Sequence, residues 1–211
     1  MTAVVIMVSN AAFAGLIISP VSATATLPTE TTYPDCTIDK IIDQSGLYIP
    51  FNSGVTSYSA YMSQNPQHHP TFKDDCYNSE SNYFGNGVII DVDLGAVYDV
   101  EHMVIWNGNV NAANPESGIK DTDILLSENA DFSNAVTFSL VIDAAGNPID
   151  PYVIDFPAAV SARYVRMDVS TNHGNLGHYS VSEVAFDIVP EPLSLLLIGM
   201  GGLFVIRNKA K

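Results

Sequence analysis

The chain is short of positive charge. Its 211 residues carry 8 Lys and Arg against 23 Asp and Glu, a formal net charge of −15. Such an acidic chain is repelled by nucleic-acid phosphates and by anionic lipid, so nucleic-acid binding is excluded as a function class. Cations and neutral ligands remain. Catalytic signatures are lacking as well: no serine stands in a Gly-x-Ser-x-Gly setting, and no glycine-rich phosphate loop precedes a helix. There is no long amphipathic helix and no internal repeat. Tryptophan occurs once, as Trp106, and cysteine twice, as Cys36 and Cys76, at a separation that matches no zinc-ligand pattern. Neighbouring His68 and His69 point in different directions and are poorly placed to share one metal.

What is present begins with the two ends. The C-terminus runs Pro190-Glu191-Pro192, then an apolar stretch from Leu193 to Ile206, then Arg207, Lys209 and Lys211. As a helix the apolar stretch covers about 21 Å, short of a hydrocarbon core of about 30 Å. The basic end belongs on the cytoplasmic side. This three-part order resembles the PEP-CTERM sorting signal of Gram-negative bacteria that make exopolysaccharide. The resemblance implies that residues 190–211 are a tail that enters the membrane transiently and is cut near Pro-Glu-Pro by exosortase. A plain C-terminal anchor is the alternative. At the other end, Met1 to Ala25 has no charged residue and is apolar through Ile18. Small residues at Ala23 and Ala25 suit signal peptidase, so residues 1–25 read as an export signal, with a membrane anchor as the alternative.

Between these ends, residues 26–189 suit one domain with a substantial core. Removing the tail with Glu191, Arg207, Lys209 and Lys211 leaves 5 basic and 22 acidic side chains, a formal charge of −17. Export to an oxidising compartment favours a disulfide between Cys36 and Cys76, two buried thiols being the alternative. Strand patterns dominate from Val88 onward: 88–94, 100–106, 123–127, 136–142, 152–156, 162–169 and 182–188, punctuated by Gly, Asn, Pro and Asp. Many short strands argue an all-β sandwich. The stretch before residue 85 is less regular, with a short helix or loop at 54–63 and irregular chain at 64–86.

Several segments stand in a telling order: Val92-Asp93-Leu94-Gly95, Tyr98-Asp99-Val100, Ile105-Trp106-Asn107, Gly118-Ile119-Lys120-Asp121, Ile124-Leu125-Leu126-Ser127, Ala162-Arg163-Tyr164-Val165-Arg166 and Ser182-Glu183-Val184-Ala185-Phe186. Together they resemble the F5/8 type C, or discoidin, family over residues 87–188. The resemblance implies a galactose-binding-like jelly-roll β-sandwich. It also implies a structural Ca²⁺ between an early loop and a last-strand glutamate. Glu183 matches the glutamate; Asp43, and after it Asp39, match the loop.

Period-two alternation sends Val92 and Leu94 inward and Asp91 and Asp93 outward. The two acids stand about 6.5–7 Å apart, near the separations used in glycoside hydrolysis, but outward acids on a strand are commonly structural. Arg163 and Arg166 are scarce cations and are expected to be paired. Trp106 ends an apolar strand and reads as core. For ligand contact the candidates are Asn107 and Asn109, in the loop after Trp106, and Asn172, His173, His178 and Tyr179 in 170–181. Planar amides take pairs of sugar hydroxyls and an aromatic ring stacks on a pyranose face, although Gly-Asn turns use the same residues. The reading is a secreted, non-enzymatic binding module of the cell surface or matrix that contacts extracellular polysaccharide. A structural matrix protein without a small-ligand site is the alternative.

Overall fold

A computed structural model describes residues 15–26, 31–32, 36–70, 77–80, 87–109, 115–175 and 177–190. Nine strands, all paired antiparallel, account for most of them: β1 Leu16–Ile18, β2 Ser22–Thr26, β3 Thr31–Thr32, β4 Tyr77–Glu80, β5 Val88–Asn107, β6 Asp121–Ser127, β7 Val136–Val141, β8 Tyr152–Val169 and β9 His178–Val189. The strand order is β3-β4-β9-β5-β8-β6-β7, with β1 on β9 and β2 on β5. One short helix, α1 Tyr58–Met62, falls inside the 54–63 stretch.

The sequence pattern reads 88–94 and 100–106 as two strands, and 152–156 and 162–169 as two more. Each pair is one long strand with a break. In β5 the register against β8 slips between Asp93 and Tyr98. Gly95 sits there with φ +89°, a region that side-chain-bearing residues rarely adopt. The first half of β5 pairs with β2 and the second half with β9, so the break lets one strand serve both layers. Residues from both halves, Ile90 and Val92 with Met103 and Ile105, share one core with Val165, Met167, Val184 and Phe186.

Two carboxylates hold this break. Asp93 accepts from the Gly95 N–H at 2.7 Å and from Arg163 Nε and an Arg163 terminal nitrogen, both at 2.9 Å. Asp91 takes a two-point contact from Arg166 at 2.7 and 2.8 Å. The Arg163 hydrogen bond, with the Gly95 N–H behind it, holds the Asp93 carboxyl below the usual carboxylate range. Both arginines are therefore paired, and neither acid is free for acid–base work.

The second halves of β5 and β9 are buried on both faces. Met103 and Ile105 enter the main core; Val104 and Trp106 point the other way, into a second cluster with Ile17, Leu47, Phe51, Tyr61, Ile149 and Ala185. That cluster is the underside of a layer of loops spanning residues 44–69 and 143–150. The continuous apolar run Met103-Val104-Ile105-Trp106 is the sequence trace of double-sided burial.

The domain edge departs from the sequence reading. Residues 16–18 and 22–25, which the sequence reading places in the export segment ending at Ala25, lie in β1 and β2. Leu16, Ile17 and Ile18 pair with Ile188, Asp187 and Phe186, and Ser22–Thr26 pairs with Asp93–Ile89. Ile17 is fully buried and Ala23 nearly so. A chain starting at Thr26 would take away the neighbours of Phe186–Ile188 on β9 and of Ile90–Asp93 on β5, and remove Ile17 from the second cluster. The small residues Ala23 and Ala25, which look like a cleavage signal, are small because Ala23 packs in the core. The Cys36–Cys76 pairing cannot be followed, since Cys76 lies outside the described residues; Cys36 is buried. The tail also lies outside them from Glu191 onward. Among the described residues no helix is long and apolar enough to cross a membrane.

Replacing Ile17 with alanine is expected to lower the unfolding free energy by about 2–4 kcal/mol, as for other buried isoleucines. A urea titration unchanged by the substitution would put residue 17 outside the folded unit.

Candidate functional site

One end of the sandwich is built from three loops zipped by backbone pairing. Leu47 bridges to His68 and His68 to Ile149. Tyr48 N–H donates to Gln67 O at 3.0 Å, and His68 and Ile149 exchange N–H···O bonds of 2.9 and 3.1 Å. The buried indole of Trp106 supports the middle loop by donating to Pro66 O at 2.7 Å. Trp106 is thus core, as its sequence position indicates. Tyr61, also buried, donates its hydroxyl to Ile49 O at 2.7 Å and fixes the outer loop.

The surface this makes carries the Tyr48 ring among polar side chains, with Ile49 beside it in the chain. Tyr48 is 55% exposed. Its ring meets the edge of the His69 ring at 5.8 Å. Beside it Gln67 Nε2 donates to Asp150 Oδ1 at 2.8 Å, and Asn65 Nδ2 reaches the same oxygen at 3.4 Å. An exposed ring next to an amide and a carboxylate is the chemistry that neutral polyhydroxyl ligands use. Sequence reading does not single out Tyr48, because only the tertiary zipper brings residues 48, 67, 69 and 150 together.

Of the asparagines and histidines chosen from sequence, Asn107 and Asn109 are buried and Asn172, His173 and His178 are half-buried. Asn107 is buried, and its amide is fully used. Nδ2 donates to Ile119 O and Asp143 O, both at 2.8 Å, while Oδ1 accepts from Gly108 and Ile119 N–H groups, both at 2.9 Å. Asn109, also buried, donates to Gly146 O at 2.7 Å. His173 bonds Ile142 O through Nε2 at 2.9 Å. These three side chains hold the 142–146 loop in place. Asn172 closes its own turn by donating to Asn175 O and His178 O at 2.7 Å and accepting from Gly174 N–H at 3.0 Å. His178 starts β9 opposite Glu80, and Tyr179 is buried in the main core. Asn107 and Asn172 thus spend their amides on loop backbone, while Asn109 Oδ1 has no hydrogen-bond partner among the described residues.

Glu183 is the second feature. It is fully buried on β9, on the face turned to the loop layer. Oε2 accepts the Gln44 N–H at 2.8 Å, while Oε1 has no hydrogen-bond partner. Gln44 holds φ +61°, an unfavourable conformation for a residue with a side chain. Three bonds lock it there: its N–H to Glu183, Nε2 to Ser19 Oγ at 3.1 Å, and Oε1 accepting from Phe51 N–H at 2.8 Å. Burial pushes the Glu183 carboxyl well above its usual range, with the nearby Asp43 charge adding to it. Asp43 itself accepts from Lys40 at 3.0 Å and from Ser45 N–H at 2.9 Å, and Asp39 is exposed on the preceding 3₁₀ turn. Asp39, Asp43 and Glu183 do not bring their carboxylates within 4.8 Å of one another. The early loop and the last-strand glutamate do meet, but through the Gln44 backbone. A buried carboxylate with one unbonded oxygen, facing a loop forced into a tight bend, fits a cation held by Glu183 and main-chain oxygens of that loop.

No family model matches the chain, and no curated protein matches it. Solved structures do. A CBM32 module from Clostridium perfringens, in complex with GalNAc-β-1,3-galactose, superposes with a TM-score of 0.51 at 16% identity, covering 78% of this chain and 93% of that one. The fold is the galactose-binding-like jelly roll. The family 32 module of C. perfringens NanJ, in complex with galactose, matches at 13% identity over 82% of this chain and 98% of that one, with a TM-score of 0.50. A fucose-binding module from Streptococcus pneumoniae matches at 16% identity over 83% and 96%, also with a TM-score of 0.50. The jelly roll expected from the order of segments is thus the observed fold.

Glu183→Gln keeps the acceptor for Gln44 and removes the titration. A carboxyl raised on folding contributes stability below its unfolded pKa and loses it as pH rises toward the folded one. Without added cation, wild type should therefore fall behind the variant above pH 4.5, with a slope approaching about 1.4 kcal/mol per pH unit. Parallel melting curves from pH 4 to 7 would show that Glu183 titrates normally.

Proposed function

We propose that this protein is an exported, non-catalytic carbohydrate-binding module that contacts extracellular polysaccharide through the loop end carrying Tyr48. The observation that carries this is the exposed Tyr48 ring beside His69, Gln67 and Asp150 at the end of a jelly roll. The sugar complexes of the similar solved modules support the same reading. The high acidity suits a neutral ligand and disfavours anionic ones. Asp91 and Asp93, an acid pair spaced as in glycoside hydrolysis, are each held by an arginine, which supports a binding role.

Within this reading the C-terminal Pro-Glu-Pro tail directs the chain to exosortase and the surface or matrix of a Gram-negative cell. Export also favours the Cys36–Cys76 disulfide. Calcium completes the module: Glu183 supplies a carboxylate, and the 39–46 loop supplies main-chain oxygens with Asp43 close by. The ion's part is to neutralise a buried charge and stiffen the loop that leads to Tyr48.

A glycan array on the exported protein, with calcium and with chelator, tests the proposal. Binding to one class of neutral or galactose-type glycan is expected. Tyr48→Ala should weaken it by about tenfold or more, the order of one lost stacking contact, while leaving the melting temperature unchanged because the ring is exposed. Binding to no glycan in either condition would favour the structural matrix protein.

A further inference from the structure

Four residues along β9 from Glu183, on the same face, stands a second buried acid. Asp187 is 2% exposed. Its Oδ2 meets His102 Nδ1 at 2.7 Å, and Oδ1 has no hydrogen-bond partner. The surroundings are short of positive charge. His102 also faces Asp155, with Nε2 3.4 Å from Oδ1, and stacks on Tyr58 at 4.9 Å. Glu101 adds a third acid to the group. Burial pushes the Asp187 carboxyl up despite its bond to His102.

What lies against the unbonded oxygen is the backbone of Gly15. A methyl group on its Cα would fall 1.9 Å from Asp187 Oδ1 and 2.8 Å from Oδ2. Standard geometry then puts the Gly15 nitrogen no more than about 4.4 Å from Oδ1. Gly15 is fixed there by its carbonyl, which accepts from Tyr58 N–H at 2.9 Å, and by β1 immediately after it. The residues before it read Ala12-Phe13-Ala14, preceded by the apolar run Ala3 to Val8. Small residues one and three positions before a bond are the signal-peptidase pattern.

We infer that the mature chain begins at Gly15, and that its new α-ammonium group is the cation Asp187 lacks. Hydrolysis of the Ala14–Gly15 peptide bond by the exporting cell's signal peptidase puts the hydroxyl of water on the Ala14 carbonyl carbon. The water's proton goes to the Gly15 nitrogen, which takes a second proton from solvent. Cutting here keeps β1 and β2, which cutting after Ala25 destroys. It converts an uncharged amide next to a half-bonded carboxylate into a buried ion pair, so processing itself completes the edge of the fold. A divalent cation at Glu101, His102 and Asp187 would instead have to break the short His102–Asp187 bond; the ammonium leaves it in place.

The inference rests on the export part of the proposed function and is independent of sugar binding. The test is to express the full chain in a secreting Gram-negative host and read the N-terminus of the exported product by intact mass and sequential degradation. Gly15 is expected. A product starting at Thr26 or at any other residue overturns the inference but keeps export; a chain exported with Met1 retained overturns both. Reductive methylation at pH 7.5 then reads the ion pair. An α-amine ordinarily titrates near 7.7–8.0, and each unit by which Asp187 raises that value slows labelling about tenfold relative to the unfolded protein. Labelling at the unfolded rate overturns the pair. Asp187→Asn should restore fast labelling; if that variant does not fold, the wild-type protection alone decides. Because the amine's pKa is raised on folding, its contribution to stability is present below about pH 8 and lost as pH climbs through the folded value. A zinc-induced rise in melting temperature that disappears in His102→Ala, with the amine unprotected, would assign the site to a metal and overturn the inference.

Discussion

Burial of β9 on both faces governs much of this molecule. Val184, Phe186 and Ile188 fill the main core, while Glu183, Ala185 and Asp187 face the loop layer, and all are at most 5% exposed. Two carboxylates are thereby placed where water does not reach. An isolated buried charge is costly unless paired and hydrogen-bonded. Each acid is only half satisfied within the described residues, Glu183 by the Gln44 N–H and Asp187 by His102. The two unbonded oxygens mark where the fold calls for positive charge, and the chain is poor in exactly that.

The loop layer exists because β5 and β9 present an apolar outer face that must be covered. Ile17, Leu47, Phe51, Tyr61 and Ile149 do the covering. Once those residues are pinned, the segments between them emerge as a rigid rim, and rigidity is what a shallow binding surface needs. Asn107, Asn109 and His173 work beneath that rim. Their bonds to Asp143 O, Gly146 O and Ile142 O position the loop ending at Asp150.

The jelly roll was legible because strand periodicity and punctuation are local, and Val88–Leu94 and Ala162–Val169 carry them clearly. The bend at Gly95 was visible as a turn, but not as a place where one strand passes between layers, since that depends on which neighbours each half finds. Pairing of Arg163 and Arg166 followed from the scarcity of cations. Leu16-Ile17-Ile18 and Ser22–Ala25 have the composition of an export signal and of a β-sheet edge alike. Composition cannot separate the two; pairing with β9 and β5 does.

By itself the sequence determined the class of the domain, its acidity and the character of its ends, all properties that sum over residues or repeat along the chain. Only the tertiary structure decided that residues 16–18 and 22–26 pair with β9 and β5, which polar side chains bond loop backbone, and that Tyr48 stands beside residues 67, 69 and 150. Those outcomes depend on contacts between segments about 20 to 170 residues apart, and the burial and hydrogen-bond valence that fix them do not exist until the chain has folded.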